Sequence, residues 1–339
     1  MGQVPLTVAF DASASSDSDG SIASYSWNFG DNTAPGSGVT VNHLYQTAGT
    51  FTATLTVTDN RAETASTTRV VTVTVGPPPG GVTVSGRVTF ERVPFLPLPQ
   101  DGLNYPGTFT APAREIEVEL LQAATGAVLA TAMTDLNGNY TVTAPPNTDV
   151  RVRAKALSRV TGTAARPGAW DLRVLNNTNG NALYVLDSSV FNTGAAGVTR
   201  NLTATTGWGG AFAGTYTGVR AAAPFAVLDT LYSATQFVIA QGDSALQLPS
   251  LKAFWSAQNR PSAGDPADGN IESTLYGSAG SVGSEVGIYI LGAENNDTDE
   301  FDQHVLAHEY QHFLEDAISR TDSIGGPHSL GERLDMRVA

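Results

Sequence analysis

The run His308-Glu309-Tyr310-Gln311-His312 holds the residues of this chain best spaced for chemistry. On a helix, residues four apart share a face, so both imidazoles reach one metal ion. Glu309 then stands where it can take a proton from water activated by that metal. The chain has five histidines, and composition alone would yield this H-E-x-x-H pattern in about one of several hundred chains of its length. Zinc-dependent hydrolysis is the chemistry indicated, with His308 and His312 as ligands and Glu309 as catalytic base. A helix with incidental surface histidines is the competing reading.

His304 extends the spacing to i, i+4, i+8, and the outer two of these three stand about 12 Å apart along the axis. One ion therefore takes either 304/308 or 308/312, and Glu309 favours the latter because it lies within that pair. There are no cysteines, so zinc must be held by His, Glu or Asp. His328 lies in the loop Asp322 to Ser329, where it is a ligand, an oxyanion donor or a loop histidine without a role in catalysis. Acidic clusters at Asp17-Ser18-Asp19 and Asp135 to Asn139 raise a Ca2+ alternative, although Pro146 stands where the second would need a distal glutamate. Ordinary turns are the favoured explanation of both clusters.

Charged residues make up 15% of the 339 positions, with 35 Gly and 18 Pro, the balance of β-rich extracellular modules. A net charge of −14 argues against nucleic acid or an anionic membrane surface as partner. No apolar run reaches membrane-spanning length, and the first residues carry no signal peptide. The expected partners are a protein or peptide substrate and an extracellular polymer or cell surface, and the expected location is secreted or cell-surface. A leader is expected to precede the first residue.

Elements that position the motif follow from patterning. Residues 1–75 alternate in a strand-like way between turn clusters, which predicts a sandwich. Phe10-Asp11-Ala12-Ser13, Tyr25 to Asp31, His43-Leu44-Tyr45 and Ala48 to Asn60 resemble a PKD domain, which implies an immunoglobulin-like spacer or adhesive module with His43 in a structural place. Gly76 to Gly81 is a proline-stiffened linker. Residues 82–206 read as a second sandwich. Its V-x-G-x-V around Gly86, the Thr125-to-Asp135 run and the Asn137-Gly138-Asn139-Tyr140 turn are similar to carboxypeptidase regulatory-like domains, which implies a transthyretin-like fold.

From 207 to 339 the texture changes to α+β. A helix is predicted over 220–240, with strands at 251–255, 271–276 and 286–291, and a helix over 298–319 capped by Asp297 and Glu300. This order resembles the N-terminal part of a zincin metallopeptidase. The third-histidine spacing of metzincins is absent after His312. The gluzincin resemblance instead implies Glu332 as third ligand, although Asp335 comes one residue early and Met336 stands at the family's Asp position. A third ligand beyond Ala339 is the alternative. The same resemblance places Ile288, Tyr289 and Ile290 on an edge strand pairing with extended substrate; a plain core strand is the other reading.

The whole reads as a multidomain chain, two all-β sandwiches followed by a partial zincin-like catalytic domain. The function expected is that of a secreted zinc metalloendopeptidase. A non-catalytic extracellular adhesion or binding protein is the alternative, because 27 residues after His312 are too few to build the far wall of a cleft.

Overall fold

The computed structural model describes residues 2–74, 80–96, 102–164, 166–210, 214–241, 244–278, 285–294 and 298–318. In the first segment, Gly49–Asp59 pairs antiparallel with both Ile22–Asn28 and Thr64–Thr74, and Leu6–Asp11 pairs with Thr40–Tyr45. These strands enclose a core of their own that includes Phe10, Trp27, Phe29, Tyr45 and Val73. The sequence segments that carried the first resemblance interlock in this core. His43 Nε2 lies 2.7 Å from Asp31 Oδ2, its ring stacks 3.8 Å from that of Phe29, and Tyr45 donates to the Phe29 carbonyl at 3.0 Å. His43 is a structural residue.

The second sandwich begins with Val82–Arg92, which pairs with Asn139–Ala144 and then Phe109–Pro112. Facing it, Glu117–Gln122 runs between Val128–Met133 and Asp149–Lys155. Period-two alternation turns Val84, Val118, Leu120 and Val152 inward. Gly86 and Tyr140, both prominent in the sequence pattern, converge on one carbonyl. Tyr140 donates to the Arg200 oxygen at 2.5 Å, and a Cβ on Gly86 would lie 1.9 Å from that same atom. Close passage of the 198–200 backbone beside Val84 and Ser85 is what demands glycine here. Gly86→Ala should therefore lower stability by about 1–3 kcal/mol by prising these strands apart. An unchanged urea midpoint would show the contact to be slack.

The division expected at 206–207 is crossed by the sheets, which corrects the boundary read from sequence. Strands β1 (Leu157–Val160) and β2 (Ala169–Asn176) leave the sandwich and join β3 (Gln247–Trp255), β4 (Leu275–Gly277) and β5 (Gly287–Ile290) in the order β1-β2-β3-β5-β4. The chain then returns, because Val198–Thr199 and Leu202–Ala204 pair with Val82–Arg92. Alternation marks a strand but not the sheet that receives it. In the shared sheet β2, β3 and β5 are parallel, while β1 and β4 are antiparallel to their neighbours.

Helix α1 (Ala222–Gln241) carries Pro224 in its first turn and buries Phe225, Leu228, Leu231 and Tyr232. It contacts both β2 and the sandwich strand Val82–Arg92. One buried cluster consequently holds Val84, Phe90 and Leu120 of the sandwich with Leu172, Leu228, Ile288 and Tyr310 of the α+β part. Among the described residues no helix is long and apolar enough to cross a membrane.

Candidate metal centre

Helix α2 spans Gln303–Ile318 and starts later than the sequence pattern placed it. Asp302 caps it, its Oδ1 accepting from His304 N at 2.9 Å and Val305 N at 3.0 Å. Of the capping pair expected from sequence, Asp297 lies outside the described residues. Glu300 is instead fully buried in an ion pair with Arg220, so its carboxylate is committed elsewhere.

Leu306, Tyr310 and Phe313 turn one face of α2 into the core. The Tyr310 and Thr235 hydroxyls meet at 2.8 Å and tie α2 to α1, while burial pushes the Tyr310 phenol up to about 12. Fixing this inner face sets where the histidines go. His308 and His312 are half-buried, with their Nε2 atoms 3.2 Å apart and their rings nearly perpendicular at 88°. Two nitrogens each about 2.0–2.1 Å from a tetrahedral zinc stand about 3.3 Å apart, so this pair fits such an ion. His312 Nδ1 faces Glu315 Oε2 at 3.3 Å, an arrangement that fixes the ring with Nε2 turned toward His308. The 308/312 pair is thus brought together, whereas the exposed His304 lies near Phe95, with ring centroids 6.1 Å apart.

Glu309 is 8% exposed, and its Oε2 accepts from the Tyr276 backbone N–H at 2.7 Å. Tyr276 also donates its hydroxyl to Asp316 Oδ2 at 2.7 Å, and burial raises its phenol above the usual range. Strand β4 is therefore held against α2 at two points, one between the two histidines in sequence and one beyond His312.

The edge strand requires a correction. Ile288, Tyr289 and Ile290 lie on β5, paired on one side with β3 and on the other with β4, and all three are buried. A continuous apolar run is the signature of such an interior strand. The open edge of the sheet beside α2 is β4, three residues long and too short to show an alternation.

Glu332 and His328 lie outside the described residues. Among the described residues no group of three or more His, Cys, Asp or Glu could hold a metal ion. Two histidine donors are in place, one short of the usual catalytic set. At the loops considered for calcium, Asp17 Oδ1 accepts from Asp19 N at 3.2 Å and Asp19 pairs with Arg61. Asp135 Oδ1 accepts from the Asn137 and Asn139 amides, both at 2.8 Å, and the Asn139 side chain is the main cause holding its carboxyl below the usual range.

Sequence reading missed the parts played by Glu315, Tyr276 and Arg220. Glu315 was findable, because a carboxylate at i+3 of His312 shares its face. Tyr276 acts through its backbone, and Arg220 meets a glutamate 80 positions away; neither leaves a local signal.

The PKD domain family matches residues 3–75. Among solved structures, the PKD1 domain of Vibrio anguillarum Epp is 39% identical, covering 21% of this chain and 82% of that one, with a TM-score of 0.19. The PKD1 domain of the Vibrio cholerae metalloprotease PrtV is 37% identical over 18% of this chain and 73% of that one, with a TM-score of 0.17. The fibronectin(III)-like modules of Clostridium thermocellum CbhA are 11% identical over 60% of this chain and 88% of that one, at a TM-score of 0.21. Through its residues 3–75, the chain belongs to the PKD domain family.

Proposed function

We propose that this chain carries the active-site helix of a zincin-like zinc metallopeptidase of the gluzincin type that works outside the cell. The observation behind this reading is the 3.2 Å approach of two imidazole nitrogens on a helix whose buried Glu309 lies between them in sequence. Zinc, when bound, supplies Lewis acidity toward water and a peptide carbonyl. His308 and His312 hold it through Nε2, with Glu315 steadying the His312 ring. Glu309 takes the proton of the attacking water and passes it to the leaving amine. The Tyr276 N–H keeps that carboxylate oriented. Extended substrate pairs with β4, the open edge beside α2. Glu332 is the proposed third ligand, with His328 as a ligand or an oxyanion donor.

A solved PKD domain 37% identical to this one comes from a metalloprotease, which accords with a peptidase reading. A polymeric or surface-bound substrate suits a catalytic helix that follows binding modules. Zinc content of the purified full chain tests the reading. Stoichiometric zinc that is lost in His308→Ala supports it, and no zinc in either protein sinks it. A second reading, a non-catalytic binding protein that keeps this helix, draws on the two-ligand set among the described residues. Bound zinc without cleavage of any peptide would select it.

A further inference from the structure

The second sandwich sends an apolar wall toward the histidine face of α2. Just past the strand Val82–Arg92, residues 94–96 and 102–104 pair antiparallel. Phe95 bridges Leu103, Leu96 N donates to the Gly102 carbonyl at 2.9 Å, and Asn104 N donates to that of Pro94 at 2.7 Å. So short a ladder does not hold itself in water. The next residue anchors it, because the Tyr105 ring stacks on Trp208 at 3.8 Å and its hydroxyl meets that of Tyr216 at 2.6 Å. Tyr216 in turn donates to Glu300, the buried carboxylate just ahead of α2, at 3.3 Å.

This anchoring sets Phe95 beside the first turn of α2, its ring centre 6.1 Å from that of His304 and the planes tilted by 39°. His304 precedes His308 by one turn on the same side of the helix, about 6 Å along the axis. Phe95 is half-buried and His304 exposed, so their contact leaves both rings open to solvent. Pro94 and Leu96, also half-buried, flank Phe95 with further apolar surface.

Charge and strand direction narrow what this wall receives. The approach to α2 carries Asp299, Glu300 and Asp302, and each is engaged: with Thr274, with Arg220 and with the helix N–H groups. They repel an acidic side chain without reaching out to a basic one. Thr274 at the start of β4 meets Asp299 ahead of α2, while the Tyr276 hydroxyl meets Asp316 near the helix end, so β4 and α2 run in the same sense. A chain added antiparallel to β4 therefore passes from the end of α2 toward its start. Residues C-terminal to a cut at the histidine pair then lie on the Phe95 side. One helical turn of about 6 Å corresponds to about two residues of extended chain. Resting on the peptidase reading above, we propose that Phe95 selects a large apolar side chain at the second residue after the cleaved bond.

Digestion of a synthetic peptide mixture by the full chain, with products read by mass spectrometry, tests this. Peptides with Leu, Met or Phe at that residue should be cut about tenfold faster than those with Asp, and Phe95→Ala should shrink the ratio to about twofold or less. Phe95→Glu should bring Lys at that residue above Leu, a new preference that loosened packing would not create. Phe95→Ala keeps the test open if Phe95→Glu fails to fold. Fluorescence polarisation gives a readout without turnover: labelled Leu and Asp peptides should bind Glu309→Gln in the same order, and the order should vanish when Phe95→Ala is added. If the wild-type protein cuts no peptide, the peptidase reading fails and takes this proposal with it. Cleavage whose preference survives Phe95→Ala, or that selects only residues before the cut, overturns the role of Phe95 alone.

Discussion

Glu309→Gln is expected to keep its zinc and lose about 10²- to 10⁴-fold in kcat, the usual contribution of a positioned general base. The amide is the same size as the carboxylate, and its oxygen can still accept the Tyr276 N–H that now lies 2.7 Å from Oε2. Packing around this buried side chain is therefore retained, and only the capacity to take a proton disappears. KM should change little, because the interaction removed is made in the transition state. Metal analysis together with steady-state cleavage of an unstructured peptide separates the outcomes. If zinc and activity vanish together, Glu309 holds the site's shape and is not its base. If activity persists, another group takes the proton and the assignment of Glu309 fails.

Asp229→Ala should cost about 3–5 kcal/mol, the range for stranding a buried charge. Asp229 lies on α1 and receives Arg92 on one carboxylate oxygen and Arg114 on the other, each at 2.7 Å. Arg92 comes from the end of the sandwich strand Val82–Arg92, and burial already holds its guanidinium below the usual range, with Asp229 opposing that shift. Removing Asp229 leaves two guanidinium groups facing each other with no counter-charge from this helix. Replacing Arg92 by Leu in the same protein should recover part of the loss, since an apolar side chain carries no desolvation penalty. Urea denaturation followed by tryptophan fluorescence provides the measurement. A loss below about 1 kcal/mol would mean that water reaches the cluster and screens it.

The parts of the site legible in sequence are those set by local geometry. His308 and His312 converge because four residues make roughly one turn, and Asn137-Gly138 turns the chain because Gly138 adopts a φ of 81°. The PKD segment was legible for a related reason, its motif residues Phe29, Asp31, His43 and Tyr45 contacting one another directly. What escaped the sequence was set by partners far along the chain. The apolar run at 287–290 gave no sign that β4 would cover its outer side, so the substrate edge was placed one strand too far in. Residues 157–176 alternated as strands should, yet their neighbours turned out to be β3 and α1. Glu300 read as part of a helix cap, and only the fold reveals the guanidinium that claims it.

The exchange of strands across the 206–207 position determines how this chain can be divided. A fragment starting at 207 would forfeit β1 and β2, turning β3 into a bare flank that invites pairing with other molecules. A fragment ending there would keep Trp170, Leu172 and Val174 with no α1 to shelter them. Neither piece is a transplantable cassette, whatever its family resemblance. The sandwich and the histidine helix travel as one cargo, and any graft, truncation or fusion that means to carry the chemistry must take both.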